Sequence, residues 1–460
     1  MRLSHSRPVV AARFDEPNLV SAAGLVPLLR LAADAGLGRL AGELLSVPAD
    51  KGANAGGKVT ALVAGMLAGA DSIDDMSLLR HGAMGTLFDR VYAPSTLGSF
   101  LRAFAFGHVR QLDAVASRFL AGLAGRTPLL AGLGEGLVCV DVDDTVIEVH
   151  GYAKQGAGFG YTGVRGLNAL LATVTAPWSA PVVIAQRLRK GSVNSARGGQ
   201  RLVRDALATL RGLRPGGPVL LRADSAFYGY ATIGAAVRAG AQVSVTVRMD
   251  PKVKAAIAAI PGGAWTPIEY PDAIFDEESG RWISRAEVAE VPFTAFSSRK
   301  RAEQLPGRLV VRRIPDLNAP AGQGALFELW RFHAFFTTSG LDTVTADATH
   351  RGHAVIEQVN ADLKGSALAH LPSGRFTANS AWLVCAVMAF NLTRAAATVA
   401  GGRLARATTA TIRRTLITVP ARIASSGRRL TLHLPIAWPW QQAWAEVFTR
   451  ACGPPGPATS

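Results

Sequence analysis

The stretch GLVCVDVDDTVIEVHG, Gly136 to Gly151, drops the helical spacing of the chain before it and alternates. Val138, Val140 and Val142 fall on one side of an extended backbone, and Cys139, Asp141 and Asp143 on the other. Acids in such a strand need a reason, because an unpaired buried charge costs several kcal/mol. LNALLATVTA and PVVIAQRLRKG follow over short connections, which favours an antiparallel meander of three strands. Next come a helix from about Ala196 to Leu213, the apolar strand PVLLRAD ending at Asp224, a helix from about Gly229 to Ala239, and the strand QVSVTVRM. A meander followed by strand–helix–strand units is the order of a ribonuclease-H-like sheet, an order that other α/β domains also fit, so the expected fold class is α/β.

The flanks divide the chain further. Residues 1–130 read as a helical domain: Leu25, Leu28 and Leu29 start an apolar stripe that Leu40, Leu44 and Leu45 continue. ADKGANAGGK, Ala49 to Lys58, reads as a loop, and Val59 to Ala68 as an apolar helix. Ser72 or Asp74 is the expected cap of a helix carrying Met76 and Leu79. Ser95 is the expected cap of another, with Leu97, Phe100, Leu101 and Phe104 on one face. Short helices joined by tight turns suit a helix-turn-helix unit with Arg80, Arg90, Arg102 and Arg110 on or near its polar faces. A plain helical bundle with solvated arginines is the competing reading.

The sheet core is expected over residues 131–250 and again over 346–400, separated by a β-rich insertion at 251–345 (IEYP, RWISRAEVAEVPFTAF, RLVVRRIP, LFELWRFHAFFTT). The second core segment holds the helix THRGHAVIEQVNADLKG and a long apolar helix from about Thr377 to Val399. Residues 401–460 read as a hairpin and an amphipathic helix with Trp440, Trp444 and Phe448.

Charge narrows the partner. With 49 Lys plus Arg against 33 Asp plus Glu, the net charge is +16, which points first to nucleic acid and second to an anionic membrane. The membrane reading is set aside: the most apolar run, Ala381 to Phe390, is cut by Asn391, Thr393 and Arg394. The N-terminal MRLSHSRPVVAARFDEPN lacks the apolar run of a signal peptide. Cys139, Cys385 and Cys452 are far apart with no CxxC pair, so a soluble protein in a reducing compartment is expected. From residue 401 to 460 there are eight Arg and a single carboxylate, Glu446, a pattern suited to phosphate contact.

Asp141 and Asp143 share one strand face, Asp224 ends a later strand, and Glu357 lies on a helix whose other face is Val355, Ile356, Val359 and Leu363. In a ribonuclease-H-like sheet these elements converge. Three carboxylates around one point would form a hard-oxygen site for Mg2+. Two such ions about 4 Å apart can activate a water or a 3′-hydroxyl for phosphodiester cleavage. Taken singly, each acid has a plainer reading: a strand-end cap or arginine partner for Asp143 and Asp224, a solvated helix residue for Glu357.

VDVDDT, LRADSAFYG and HAVIEQVNADLKG resemble the DDE transposases of bacterial insertion sequences, and most closely the insertion-sequence 1380 family. NLVSAAGLVPLLRL, STLGSFLRAF, LRKGSVNSARGG and VPARIASSGRR with WPW extend the resemblance over nearly the whole chain. It implies a metal-dependent enzyme that cuts DNA at element ends and transfers strands, with Asp143, Asp224 and Glu357 as catalytic and metal-binding acids. These acids are separated by 81 and 133 residues, the second gap holding the insertion. Asp143 precedes Thr145 by two, as the family's first aspartate precedes Thr or Ser; Asp141 is the alternative and Asp144 a weaker one. The resemblance also implies two Mg2+ ions, with Mn2+ as a substitute. Its implied partners are double-stranded DNA (terminal inverted repeats and target) and a second copy of the chain. The implied location is the bacterial cytoplasm, at the nucleoid. The wider clan carries a Tyr–Arg–Glu–Lys signature on successive helical turns; here those positions hold His350, His353, Glu357 and Lys364, and Arg351 is a spatial substitute for the missing Arg.

The expected DNA-contacting residues are Arg102, Arg187, Arg189, Lys190, Arg197, His353, Lys364, Arg428 and Arg429, with Arg201 in the same basic loop as Arg187 to Arg197. That loop lacks GxxxxGK[ST], so it is not a phosphate-binding P-loop. His350, His353 and Glu357 share a helix face, but without HExxH a zinc site is disfavoured. Trp265 is read as a core residue rather than a base-stacking one. A non-catalytic DNA-binding regulator, a decayed transposase, or a nuclease without strand transfer are the alternatives.

Overall fold

A computed structural model describes residues 11–134, 136–160, 163–214, 216–269, 275–276, 281–282, 286–315, 330–426 and 429–453. The first ten residues, Tyr270 and Pro271 of IEYP, residues 326–329 of LFELWRFHAFFTT, and Arg428 lie outside the described residues.

After strand β1 (Leu19–Val20) the N-terminal region is helical: α1 (Leu25–Asp34), α2 (Leu37–Leu44), α3 (Ala49–Gly52), α4 (Ala55–Ala68), α5 (Pro94–Arg102) and α6 (Phe106–Ala124). The leucine stripe decides which faces go inward: Leu25, Leu28, Leu31, Leu37 and Leu40 are all buried. Several boundaries differ from the sequence reading. α4 starts before Val59 because the Asn54 side chain accepts from the Gly57 amide, so the supposed loop is partly helical. Asp74–Leu79 is a 3-10 helix whose entry is tied by Asp75, which accepts from the Ser72 amide and hydroxyl. α5 begins at Pro94 with Ala93 at its cap, so Ser95 is inside the helix and caps nothing. Close helix packing depends on glycine at Gly122, where a Cβ would stand 2.3 Å from the Ala35 carbonyl oxygen.

A ten-stranded sheet forms the centre. β2 (Val138–Glu148), β4 (Arg165–Val174) and β5 (Val182–Lys190) make the expected meander, with two-residue β3 (Gly158–Phe159) also on β4. β2 pairs on its other side with β6 (Val219–Ala223), and β6 with β7 (Gln242–Thr246), both in parallel. Parallel neighbours need a crossover, which α7 (Gly199–Leu213) and α8 (Tyr230–Arg238) supply. α9 (Pro251–Ala258) then leads into the insertion, β8 (Thr266–Ile268), a small ribbon β9 (Phe275–Asp276) with β10 (Arg281–Trp282), β11 (Ala286–Ala295), β12 (Leu305–Pro315) and β13 (Trp330–Thr337). The insertion is not set apart: β13 pairs with β7, and β12, β11 and β8 continue the same sheet. Trp265 is packed there between Arg313, 4.2 Å from its ring centroid, and Phe332.

α10 (Thr343–Arg351) and α11 (Val355–Lys364) pack back on the sheet, and α12 (Phe376–Ala400) runs through the middle of the molecule. α12 is longer than the apolar run suggested, and by length and composition it is able to cross a membrane. It is instead a core helix: 89% of its most apolar window is buried, against α4, α5, α6, α14 and β5. Its polar residues are met inside, as when Asn391 bonds both the amide and the carbonyl of Val183 on β5. After α13 (Thr409–Ile412) the chain forms the hairpin β14 (Ala421–Ser426) and β15 (Arg429–His433), then α14 (Gln441–Cys452). These are no loose tail. β14 pairs with β1, placing Arg422 opposite Leu19, and α14 packs on α1 and α12.

Candidate active site

The centre of the site follows from strand register. β2 and β6 run parallel with Asp141 beside Arg222 and Val142 beside Ala223. The pairing ends there, and Asp224 is the next residue after β6, with its charge acting on Asp143. The period of two then puts four charged side chains on one face: an ion pair, Asp141 with Arg222, and beyond it two acids, Asp143 with Asp224.

The ion pair is closed. Arg222 donates from Nε and Nη2 to the two oxygens of Asp141, 2.7 Å each, and Asp141 is fully buried. The remaining Arg222 amine donates to the Thr349 carbonyl at the end of α10. His353 sits 2.9 Å through Nδ1 from Asp141. Asp141, the alternative first acid, is therefore fully engaged with Arg222 and His353. Asp144 points to the other face, where Arg189 holds it at 2.6 Å and Asn168 donates to it.

Asp143 and Asp224 have no arginine of this kind. Burial pushes the Asp143 carboxyl up to about 6, with the nearby Asp144 and Asp224 charges adding to the rise and His353 opposing it. Asp224, more open, is also raised by the protein around it, although its side chain accepts the Ala226 amide. A close pair of carboxylates that resists ionisation is a place where a cation would be favoured.

α11 crosses above β2. Asn360 donates from Nδ2 to Asp143 at 2.7 Å, and its Oδ1 is buried without any partner among the described residues. Glu357, one turn earlier on the same face, is exposed. The expected convergence of three acids is not formed: among the described residues no three His, Cys, Asp or Glu side chains stand close enough to hold one ion. Asp143, Asp224 and Asn360 fit a hard-oxygen site; Glu357 as placed does not complete it. His350 is half-buried and stacked 4.0 Å from Phe335, with its nitrogens on Ser244 and Thr246, and desolvation pushes its pKa down to about 3. Arg351, the spatial substitute for the missing arginine, is ion-paired to buried Asp347.

The basic residues separate into two groups. Arg102, Lys190, Arg197 and Lys364 are exposed or half-exposed, and Lys364 borders a recess with Asp144, Thr145 and Glu148 next to the site. Arg189 and Arg187 depart from their expected role. Arg189 is buried, and besides Asp144 and Asn168 it bonds the carbonyls of Ser195 and Arg197, so it fastens the basic loop to the sheet. Arg187 is tied to Asp205. Some C-terminal arginines are likewise spent internally: Arg406 donates to the Pro177 carbonyl and Arg450 to that of Arg126. Arg429 opens β15 opposite Ser426, and Arg428 is outside the described residues.

Two residues of the site, Arg222 and Asn360, were not picked out from sequence. Arg222 had a signal: it precedes Asp224 by two, as Asp141 precedes Asp143, so parallel register pairs both sets. Asn360 follows Glu357 by three and so shares its helix face.

No curated protein matches the chain. A family model described as transposase DDE domain group 1 matches residues 3–452. With nearly its whole length inside that match, the chain belongs to the family of transposase DDE domains.

Proposed function

We propose that the chain is the transposase of a bacterial insertion sequence, cutting DNA at the element's terminal inverted repeats and joining the freed 3′-ends to target DNA. The observation that carries this reading is that Asp143, within β2, feels the charge of Asp224, which directly follows the parallel neighbour β6. The sheet around them is read as ribonuclease-H-like, the N-terminal helices as the DNA-binding part, and the working form as a homodimer on double-stranded DNA. The net charge of +16 favours such a polyanionic partner in the cytoplasm, at the nucleoid.

Asp143 and Asp224 would hold Mg2+, or Mn2+ in its place, with Glu357 drawn in when DNA is bound. The metal supplies Lewis acidity at the scissile phosphate and lowers the pKa of an attacking oxygen. In the first step water oxygen bonds to phosphorus and the bond from phosphorus to the 3′-oxygen breaks, leaving a 3′-hydroxyl. In the second step that hydroxyl attacks a target phosphate and displaces another 3′-oxygen. His353, fixed through Nδ1 by Asp141, turns its other ring nitrogen away from the ion pair and is suited to a phosphate oxygen. Lys364 and the Lys190–Arg197 loop would contact the backbone nearby.

The test is Asp224→Asn on a duplex carrying the element end. Binding is expected to persist while Mg2+-dependent cleavage is lost, and Ca2+ should support binding without turnover. Undiminished cleavage by the variant would place the cleavage chemistry away from Asp224 and overturn the reading of this site.

A further inference from the structure

Asn360 is 6% exposed, and its two polar atoms have unequal fates. Nδ2 donates to Asp143 at 2.7 Å, while Oδ1 is sealed from solvent with no partner among the described residues. A buried acceptor left unmade costs about 1–3 kcal/mol, and such an atom in a folded core calls for a missing partner. The amide cannot be turned over to solve this, because Oδ1 would then face the Asp143 carboxylate. The bond from Nδ2 also fixes Oδ1 within a few ångströms of the Asp143 oxygens. An amide oxygen is a neutral, hard donor that Ca2+, Mn2+ and Mg2+ all accept.

We propose that Asn360 Oδ1, rather than Glu357, is the third protein oxygen of the divalent-cation site before DNA binds. The inference rests on the reading of Asp143 and Asp224 as cation ligands given above. The difference between the two candidates lies in the geometry. Glu357 is exposed and must move inward, whereas Asn360 is already held against Asp143. A neutral third ligand also avoids placing a third negative charge beside the Asp143 and Asp224 carboxyls. Glu357 would then be recruited only with the substrate, so the resting site binds metal and the assembled site performs the chemistry.

The experiment is a titration of the full chain with Mn2+ alone, without DNA, followed by electron paramagnetic resonance of the free ion. Asn360→Leu is expected to weaken Mn2+ binding about tenfold or more, and Glu357→Gln by less than about threefold. Asn360→Asp, which keeps an oxygen at the same place but cannot donate to Asp143, is expected to retain Mn2+ binding. If Asn360 served only to position Asp143, Asn360→Asp would bind as poorly as Asn360→Leu, and the inference would be overturned. It would equally be overturned if Glu357→Gln lost as much affinity as Asn360→Leu. Should Asn360→Leu fail to fold, the anomalous density of Mn2+ in crystals of the unchanged protein decides: the ion is expected about 2.0–2.6 Å from Asn360 Oδ1. An ion on Glu357 and away from Asn360 would contradict it. Absence of Mn2+ binding by the unchanged protein would overturn this inference together with the metal reading; binding that Asp143→Asn removes but Asn360→Leu spares would overturn this inference alone.

Discussion

At the scale of single residues, the two strands β2 and β6 carry the same device twice: a charge, an apolar residue, then an acid. The inner pair, Asp141 and Arg222, neutralises itself, and the outer pair, Asp143 and Asp224, is the proposed cation site. A buried ion pair gives little net stability compared with an apolar pair, but losing one member is costly because the other remains charged and unpaired. Arg222→Met is therefore expected to destabilise the protein by about 3–5 kcal/mol. Adding Asp141→Leu to it should recover a large part of that loss, although His353 then also loses its partner. Urea unfolding of the two variants measures this; a double variant no more stable than Arg222→Met would show that the pair is not an isolated electrostatic unit. The pairing was open to reading in the sequence, since both acids carry a partner position two residues earlier. It was missed because strand register is a tertiary property, and a shift of one residue would have sent every side chain to the opposite face. Asp143 and Asp224 were legible because they interrupt apolar strands. Asn360 was not, because an asparagine on a helix carries no such contrast.

At the scale of elements, the long periodic segments were the readable ones: the meander, the two parallel strands and the core helices lie where alternation or helical spacing placed them. Ends were less readable, as Ser95 and Asp74 show, because a cap is decided by the local hydrogen bond actually made. Packing between elements was least readable. Arg187 and Arg189 looked like a basic surface, yet Asp205 and Asp144 lie across from them on neighbouring elements. The same seam contains Asp113 of α6, which accepts from Gln186 of β5 and from Arg110. Burial outweighs the Arg110 charge and pushes Asp113 up to about 6. An acid raised in the folded state holds its proton longer there than in the unfolded chain. Its contribution to stability is full below the unfolded value near 3.8 and is lost as pH rises through about 6. Asp113→Asn, which keeps an acceptor for Gln186, should remove that part of the pH dependence. The urea midpoint of the variant is expected to gain on the parent's between about pH 4 and pH 7. A gap that stays constant over this range would mean that Asp113 titrates normally.

At the scale of the whole molecule, one hydrophobic cluster runs from Val20 to Ala451 and includes residues of the N-terminal helices, the sheet, α12 and α14. That continuity changes how DNA recognition has to be tested. Deleting the N-terminal helices would strip cover from α12, whose exposed apolar length would then drive aggregation. Any lost specificity would be a loss of fold. Single side-chain substitutions are the sound probes. Arg102 ends α5 with its guanidinium donating to Ser99 and the rest in solvent, while Leu97, Phe100 and Leu101 are buried behind it. If α5 reads base edges in a major groove, Arg102→Ala should lower the ratio of specific to non-specific affinity. Arg429, at the start of β15, belongs to the opposite class. If it contacts phosphate, Arg429→Ser should weaken both kinds of binding equally and reduce the slope of log affinity against log salt by about 0.9. Both measurements use an element-end duplex and a random duplex over a range of salt. An unchanged specificity ratio in Arg102→Ala, with the fold intact by its unfolding midpoint, would move sequence recognition off α5. The two variants together separate reading from holding without dividing a core that cannot be divided.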